Sequence, residues 1–381
     1  MADMQTLILD NGSCTIKGGY ADYEQPLVVP NMVTRTKRTR RVYVGDLAYS
    51  TSDLSGLYYR SPFERGYLVR WDAELVIWDR VLSNDVLGCE PQQTNLILSE
   101  PVFNFQAIQR QMDEIVFEEY GFASLIRAPA PRLAAQHHSC CVIVDVGHAF
   151  TYVVPYRNQQ QIPWAIRRVD VGGLMLTSYL KETVSFRYWD MMDETYIMSQ
   201  VKERTCFVSQ DFYSDLERAK RTDSMKLEYV LPDFTASKTG YVRGTQADAE
   251  GMQVLPLNNE RFAVPEALFH PEDVGVDQGG IHRAIVQAVN ACPEEARGVL
   301  LASIVLIGGS AKLPGLRERL QAEVQAMSSS RVCVSVPDDP EAWAWQGGRL
   351  LAQGHGERRI SRQQYLEMGA SRVAAHFETF A

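Results

Sequence analysis

Long hydrophobic runs are missing from this sequence. No apolar stretch approaches the ~18 residues of a membrane-spanning helix, and the N-terminus MADMQTLILDNG has neither a basic region nor an apolar core of signal-peptide length. A secreted or membrane-spanning protein is therefore not expected. The seven cysteines are an odd number, Cys140 and Cys141 are adjacent, and no CxxC or Cys/His spacing occurs. Neither a disulfide framework nor a zinc site is favoured, and a reducing compartment fits best. Positive charge is in deficit too: 38 Lys and Arg face 47 Asp and Glu, a net charge of −9. That balance disfavours a protein whose main task is coating nucleic acid, because phosphate binding needs surplus cations on the contact surface. The compositional marks of disorder are absent as well, with 45% hydrophobic and 22% charged residues.

What is present is enough chain for two lobes, since 381 residues exceed one simple core. Three short apolar runs end in glycine-containing turns: Leu7 to Gly12 (LILDNG), Val142 to Gly147 (VIVDVG) and Ile304 to Gly309 (IVLIGG). Each reads as a buried strand entering a tight turn. The first two form an internal repeat of strand, Asp, one residue and Gly, followed by a β-rich stretch at Thr15 to Tyr20 and at Thr151 to Tyr156. This suggests a duplicated unit, one copy per lobe. Helical spacing between Gln106 and Tyr120, and again through Leu316, Leu320 and Val324, gives an α/β architecture. Polar stretches at Thr34 to Arg41 and Ser237 to Gly251 read as surface loops.

Asp10 and Asp145 close two strands where a sheet edge receives ligands. Facing each other across a cleft, they are suited to hold a hydrated Mg²⁺ through water. Gly12, Gly147 and the Gly308-Gly309 turn would let backbone N–H groups approach phosphate oxygens. Ser13 adds a hydroxyl donor and Lys17 a point charge. Each turn alone reads as an ordinary β-turn; three together favour a phosphate cleft.

LILDNGSxxxKxGY resembles the first phosphate hairpin of the actin family. Further segments resemble that family in order: PFERGYLVRWD (62–72), Glu100-Pro101, VKERTCF (201–207), NERFAVPEALF (259–269), GGSAKLPG (308–315), WQGG (345–348) and ISRQQYLEMG (360–369). The resemblance covers roughly residues 5 to 370. It implies the actin/hexokinase/chaperone-type ATPase fold, two duplicated lobes around a nucleotide cleft. The lobes would be residues 1–134 with 340–381, holding subdomains 1 and 2, and residues 135–339, holding subdomains 3 and 4, with 172–258 the smaller subdomain. GYLVRWD, EPVFNF, MDEIVFEEYGF, MDET, VSQDFYSDLERAK and YVLPDF resemble the nuclear actin-related proteins more than conventional actin. That implies a non-catalytic subunit of a histone-exchange chromatin remodeller of the Swr/SRCAP type, found in the nucleus and also the cytoplasm. It would pair with a small zinc-finger subunit and the remodeller motor, and contact nucleosome or DNA through the complex.

Carried over residue by residue, Asp10, Gly12, Ser13 and Lys17 keep the first hairpin, while Cys14 stands where actins have a second glycine. Asp145 and Gly147 remain in the second hairpin, but Val146, His148 and Ala149 replace a small hydroxyl residue, an acid and a glycine. Lys202 and Glu203 match the adenine and ribose contacts, and Gly308, Gly309 and Ser310 the loop that closes over the nucleotide. Glu341 takes the place of an adenine-packing lysine, and Leu313 that of a tyrosine. ATP or ADP with Mg²⁺ is thus the implied, structural cofactor. The water-orienting glutamine aligns with Ala130 inside APAP, where Pro129 and Pro131 are expected to disrupt a helix start; Gln136, the nearby candidate, stands nine residues before Asp145, too few for the helix, turn and strand that normally separate the two. His137, His138 and His148 lie near the cleft in sequence and read as structural or solvent-exposed. The basic run Arg35, Lys37, Arg38, Arg40 and Arg41 falls where actins carry the filament-forming loop, which is rewritten here, so filament formation is not expected. The run is either a solvated hairpin or an import, DNA or acidic-partner contact. Trp343 and Trp345 are expected to pack at the hinge. A slow ATPase or a sugar kinase on the same scaffold is the rival reading, since a shared fold does not settle function.

Overall fold

The computed structural model describes residues 4–36, 40–50, 57–232, 239–245, 251–354 and 359–378. Two mixed sheets are built on the same plan. In the first, the strands run in the order Ile360–Ser361, Ser124–Pro129, Asn95–Glu100, Thr6–Asn11, Thr15–Tyr20 and Leu27–Pro30. In the second the order is Gln160–Gln161, Thr151–Arg157, Cys140–Val146, Ile304–Ile307 and Val334–Ser335, with Arg167–Val169 also pairing with Thr151–Arg157. Each sheet is centred on an antiparallel hairpin whose first strand has a parallel neighbour on its other side. The internal repeat therefore corresponds to a repeated supersecondary unit. The central strands are continuous apolar runs because helices cover both their faces. Leu7, Ile8, Leu9, Val142, Ile143, Val144, Ile304 and Leu306 are all wholly buried.

The two sheets are coupled by a shared apolar cluster in which Val102, Ala134 and Ala135 pack with Ile143, Tyr156, Val305 and Ile307. The Trp343–Gln353 helix lies against the short Ala130–Ala134 helix at the same place. A Cβ on Gly347 would stand 1.8 Å from the Leu133 carbonyl oxygen, and one on Gly348 2.7 Å from the Ile8 side chain. The WQGG segment is thus a docking face that only glycine can provide. Trp345 is wholly buried beside Ile8 and Leu133, and Trp343 stacks on His137 with ring centroids 3.8 Å apart. Both tryptophans pack at the crossing between the sheets, and His137 is a packing residue there.

Several local expectations need correction. Pro129 and Pro131 do not disrupt the helix: Pro129 is its N-cap and Pro131 lies in its first turn, where a missing N–H costs nothing. The stretch 34–41 is not all loop. Val33–Thr36 and Val42–Val44 form a hairpin, completed to three strands by Leu57–Arg60. Ser237, Lys238 and residues 246–250 lie outside the described residues, but Tyr241–Val242 is a strand beside Leu227–Val230. The expected helix from Gln106 is α-helical to Glu114 and continues as one π-turn over Ile115–Glu119.

Candidate functional site

The two hairpins present their aspartates toward one another. Asp10 pairs in register with Lys17, whose Nζ is 3.8 Å from Asp10 Oδ2, and Ser99 donates its hydroxyl to Asp10 Oδ1 at 2.7 Å. Asp145 faces Tyr152 across the second hairpin. Its carboxyl is pushed up to about 7, first by burial and then by the negative charge of Asp10, with Lys17 offsetting part of this. A buried carboxyl that feels the charge of a second aspartate is suited to a divalent cation between the two.

The glycines hold this approach open. Gly308 has φ +88°, and a Cβ there would fall 2.7 Å from the Val146 carbonyl and 2.9 Å from Asp145 Oδ1. At Gly12 the added atom would stand 2.9 Å from the Thr15 carbonyl. The second hairpin is seated on the start of the Gly173–Arg187 helix: Gly173 N–H donates to the Gly147 carbonyl at 2.9 Å, and Leu174 N–H to that of His148 at 2.8 Å. A Cβ on Gly173 would lie 3.2 Å from Ser310 Oγ and 3.5 Å from Lys202 Nζ, so these residues share one wall.

Lys202 is placed differently from a free ligand contact. It is buried, and its ammonium donates to the Gly173 carbonyl at 3.0 Å and to Thr177 Oγ1 at 2.9 Å, so it holds the helix start. Burial lowers its proton affinity, which Glu203 partly restores. Glu203 is exposed and accepts from Ser199 at 2.9 Å. His148 is held neutral, pushed down to about 4 by burial and by Lys202 and Lys17. Cys14 keeps access to solvent inside the cleft, within electrostatic range of Lys17, Lys202, Glu203 and Glu341, and the protein crowded around it pushes its thiol up. Glu341 Oε1 is 3.2 Å from Lys312 Nζ, and the same oxygen would be 3.2 Å from a Cβ at Gly309.

The structure therefore brings together Asp10, Gly12, Lys17, Asp145, Gly147, Lys202, Gly308 and Ser310, with Ser13 and Glu203 beside them. Ala130 opens its helix with only a methyl group, and Gln136 turns its amide back to the Arg132 carbonyl at 3.3 Å. The basic run lies elsewhere, on the hairpin joining Val33–Thr36 to Val42–Val44. There Arg35, Arg40 and Arg41 are exposed and Arg40 takes φ +56°, while Lys37 and Arg38 lie outside the described residues.

Sequence reasoning missed the layer beneath the first hairpin. Glu74 is wholly buried and accepts from Asn11 Nδ2 at 2.6 Å, Trp78 Nε1 at 3.0 Å and Asn31 Nδ2 at 3.5 Å. Asn31 also donates to the Gly12 carbonyl at 3.0 Å, and Asn11 N–H to Ser99 Oγ at 2.7 Å. Burial pushes the Glu74 carboxyl up to about 7 against these three donors. The signal was an acid on the buried stripe of the Trp71–Leu82 helix, three residues after Trp71 and four before Trp78.

A family model described as Actin matches residues 1–378 of the chain. The chain belongs to the actin family. It is 41% identical over 371 residues to Actin-related protein 6 of Drosophila melanogaster, covering 91% of this chain and 92% of that one. It is also 39% identical over 372 residues to Actin-like protein ARP6 of Yarrowia lipolytica, covering 95% of each. The corresponding protein of Cryptococcus neoformans is 38% identical over 420 residues, covering all of this chain and 86% of its own. The paired hairpins thus belong to an actin fold.

Within this actin fold the two hairpins fit a Mg·nucleotide: two aspartates that face each other, a lysine beside one of them, and glycines with no room for a Cβ. When bound, such a group would supply phosphate charge for Lys17 and a divalent cation for Asp10 and Asp145.

Proposed function

We propose that this actin-family chain is a non-catalytic interaction subunit of a nuclear histone-variant exchange complex, with nucleotide acting as a structural bridge between its lobes. The observation that carries the non-catalytic part is a cleft that keeps its grip and lacks a water-orienting group. Asp10, Lys17 and Asp145 converge, whereas Ala130 offers no side-chain donor or acceptor, Gln136 is turned to the Arg132 carbonyl, and His148 is kept neutral first by burial and then by the charges of Lys202 and Lys17. Positioning of the attacking water is a large part of phosphoryl-transfer catalysis, so its loss leaves binding intact and turnover slow.

The assembly part is supported by the likeness to proteins called actin-related protein 6 and by the rewritten hairpin between Thr36 and Val42. In this reading the partners are a remodeller motor and a small zinc-finger subunit, and the basic hairpin meets DNA or an acidic partner. Purification of the tagged chain from nuclei under mild conditions, with identification of the co-purifying subunits, tests the assembly. Recovery of the chain alone would sink it. Phosphate release by the purified chain should not exceed that of Asp10→Ala; release well above that control favours a slow ATPase. For the hairpin, replacing Arg35, Arg40 and Arg41 with Ser should flatten the salt dependence of nucleosome binding by the complex, because contacts with phosphates release counterions. An unchanged slope leaves the hairpin as a solvated turn.

A further inference from the structure

Far along the chain from the phosphate hairpins, a cavity of about 310 Å³ opens between the start of the Phe212–Arg221 helix, the end of the Glu260–Glu266 helix and the Leu316–Ala326 helix. Its charge is one-sided. Asp211, Glu266, Asp273 and Glu323 line it, against the single guanidinium of Arg319. Each of its three nitrogens donates: Nε to Glu323 Oε1 at 2.7 Å, Nη1 to the Ser209 carbonyl at 2.7 Å and Nη2 to Glu266 Oε1 at 3.3 Å. His270 adds a ring nitrogen 3.8 Å from Glu266 Oε1, but its other nitrogen faces Glu272 at 3.1 Å.

Glu266 is the residue that points to a ligand. It is 3% exposed, and its Oε2 has no hydrogen-bond partner. A carboxylate this buried normally has its lone pairs met by donors, because an unmet one forfeits its hydration without replacement. Burial accordingly raises its proton affinity despite Arg319. At the rim, Tyr213 is 78% exposed, with Phe212 beside it. Four carboxylates share the one guanidinium, so the exposed aromatic beside them is a cation–π wall above a floor of net negative charge. Among the described residues no group of three or more acidic, histidine or cysteine side chains is arranged to hold a metal ion, so a bare divalent cation does not match the cavity.

We propose that this cavity is a docking site for an arginine side chain of a basic peptide segment on a partner protein. A guanidinium is planar, brings five donors in a fixed fork, and stacks on aromatic rings. It meets Glu266 and Asp273 with N–H groups while its face lies on Tyr213. The site is separate from nucleotide binding, and the purified full-length chain suffices to test it.

The test is fluorescence anisotropy at low ionic strength with a labelled Gly-Ser peptide carrying three arginines, alongside the same peptide with glutamines. The arginine peptide should bind and the glutamine peptide should not. Asp273→Asn, on an exposed turn, should weaken binding several-fold, and Asp273→Asn combined with Glu266→Gln by about tenfold or more, as removal of buried charge partners does at interfaces. Asp22→Asn with Glu24→Gln removes the same two charges from an exposed segment elsewhere and should leave affinity within about twofold, since screened surface charges contribute little. Equal weakening by the two pairs would reduce the effect to net charge and overturn the site. So would absence of binding, or equal binding of the glutamine peptide. Asp273→Asn alone keeps the test decisive if Glu266→Gln fails to fold.

Discussion

The donors that face Glu74 are all neutral amide or indole N–H groups, and one of its oxygens has no partner, as does Asn31 Oδ1 beside it. A proton on Glu74 is therefore favoured in the folded state, which raises the carboxyl from 4.5 to about 7. Because the folded value is the higher one, the stabilisation is fully present below pH 4.5, declines as pH rises, and is lost above about 7. At 1.36 kcal/mol per unit the whole effect is on the order of 3 kcal/mol. Glu74→Gln, which cannot ionise, should be more stable than the parent at pH 8, with a smaller difference at pH 5. Parallel melting curves for the two proteins across that range would show that Glu74 does not titrate in the fold. Cys14 makes a second expectation at this scale. It projects among Lys17, Lys202, Glu203 and Glu341 where a glycine would leave room for phosphate, so Cys14→Gly should tighten Mg·ATP binding severalfold in a calorimetric titration. The two residues differ in legibility. Cys14 could be singled out because it interrupts a recognisable hairpin, whereas the role of Glu74 depends on Asn31 and Asn11, whose approach only the folded chain reveals.

At the scale of elements, the Trp343–Gln353 helix rests on backbone rather than side chains. Gly347→Ala would drive a methyl into the Leu133 carbonyl, where nothing flexible can yield. Overpacking of this kind typically costs about 1–3 kcal/mol, and this contact belongs at the upper end. The variant should melt several degrees lower, and an unchanged midpoint would mean that the two helices separate freely. The three apolar strands and the hairpin repeat were readable in advance because a strand covered on both faces writes itself as an uninterrupted apolar run. The Ala130–Ala134 helix was misjudged because proline was weighed as a helix breaker without regard to position, and its place in the first turn reverses the sign of its effect. The π-turn after Glu114 leaves no mark in side-chain periodicity, which a single extra residue per turn barely disturbs.

For the whole molecule, the cleft is walled by groups from both sheets, so a ligand that touches both hairpins ties the two halves together. Mg·ATP at a hundredfold excess over its dissociation constant should add about 2.7 kcal/mol of stability by mass action. Differential scanning of protein first stripped of nucleotide checks this. Lys17→Ala should remove most of the shift, and identical curves with and without ligand would rule out a bridging role. The geometry of the candidate site was legible at the two hairpins, where glycines and aspartates obey short-range rules, and poorly legible around Lys202. There Lys202 is taken up by Gly173 and Thr177, a contact set by how two helices meet.

Leu57–Arg60 and the Thr195–Thr205 helix lie far apart in sequence, yet Tyr59 and Tyr196 lie ring over ring, their centroids 6.2 Å apart and their planes 19° from parallel. Helix Thr195–Thr205 also carries Lys202 and Glu203 into the cleft wall. The stack is thus a tether: a displacement of the small three-stranded sheet is passed to the helix that carries Lys202.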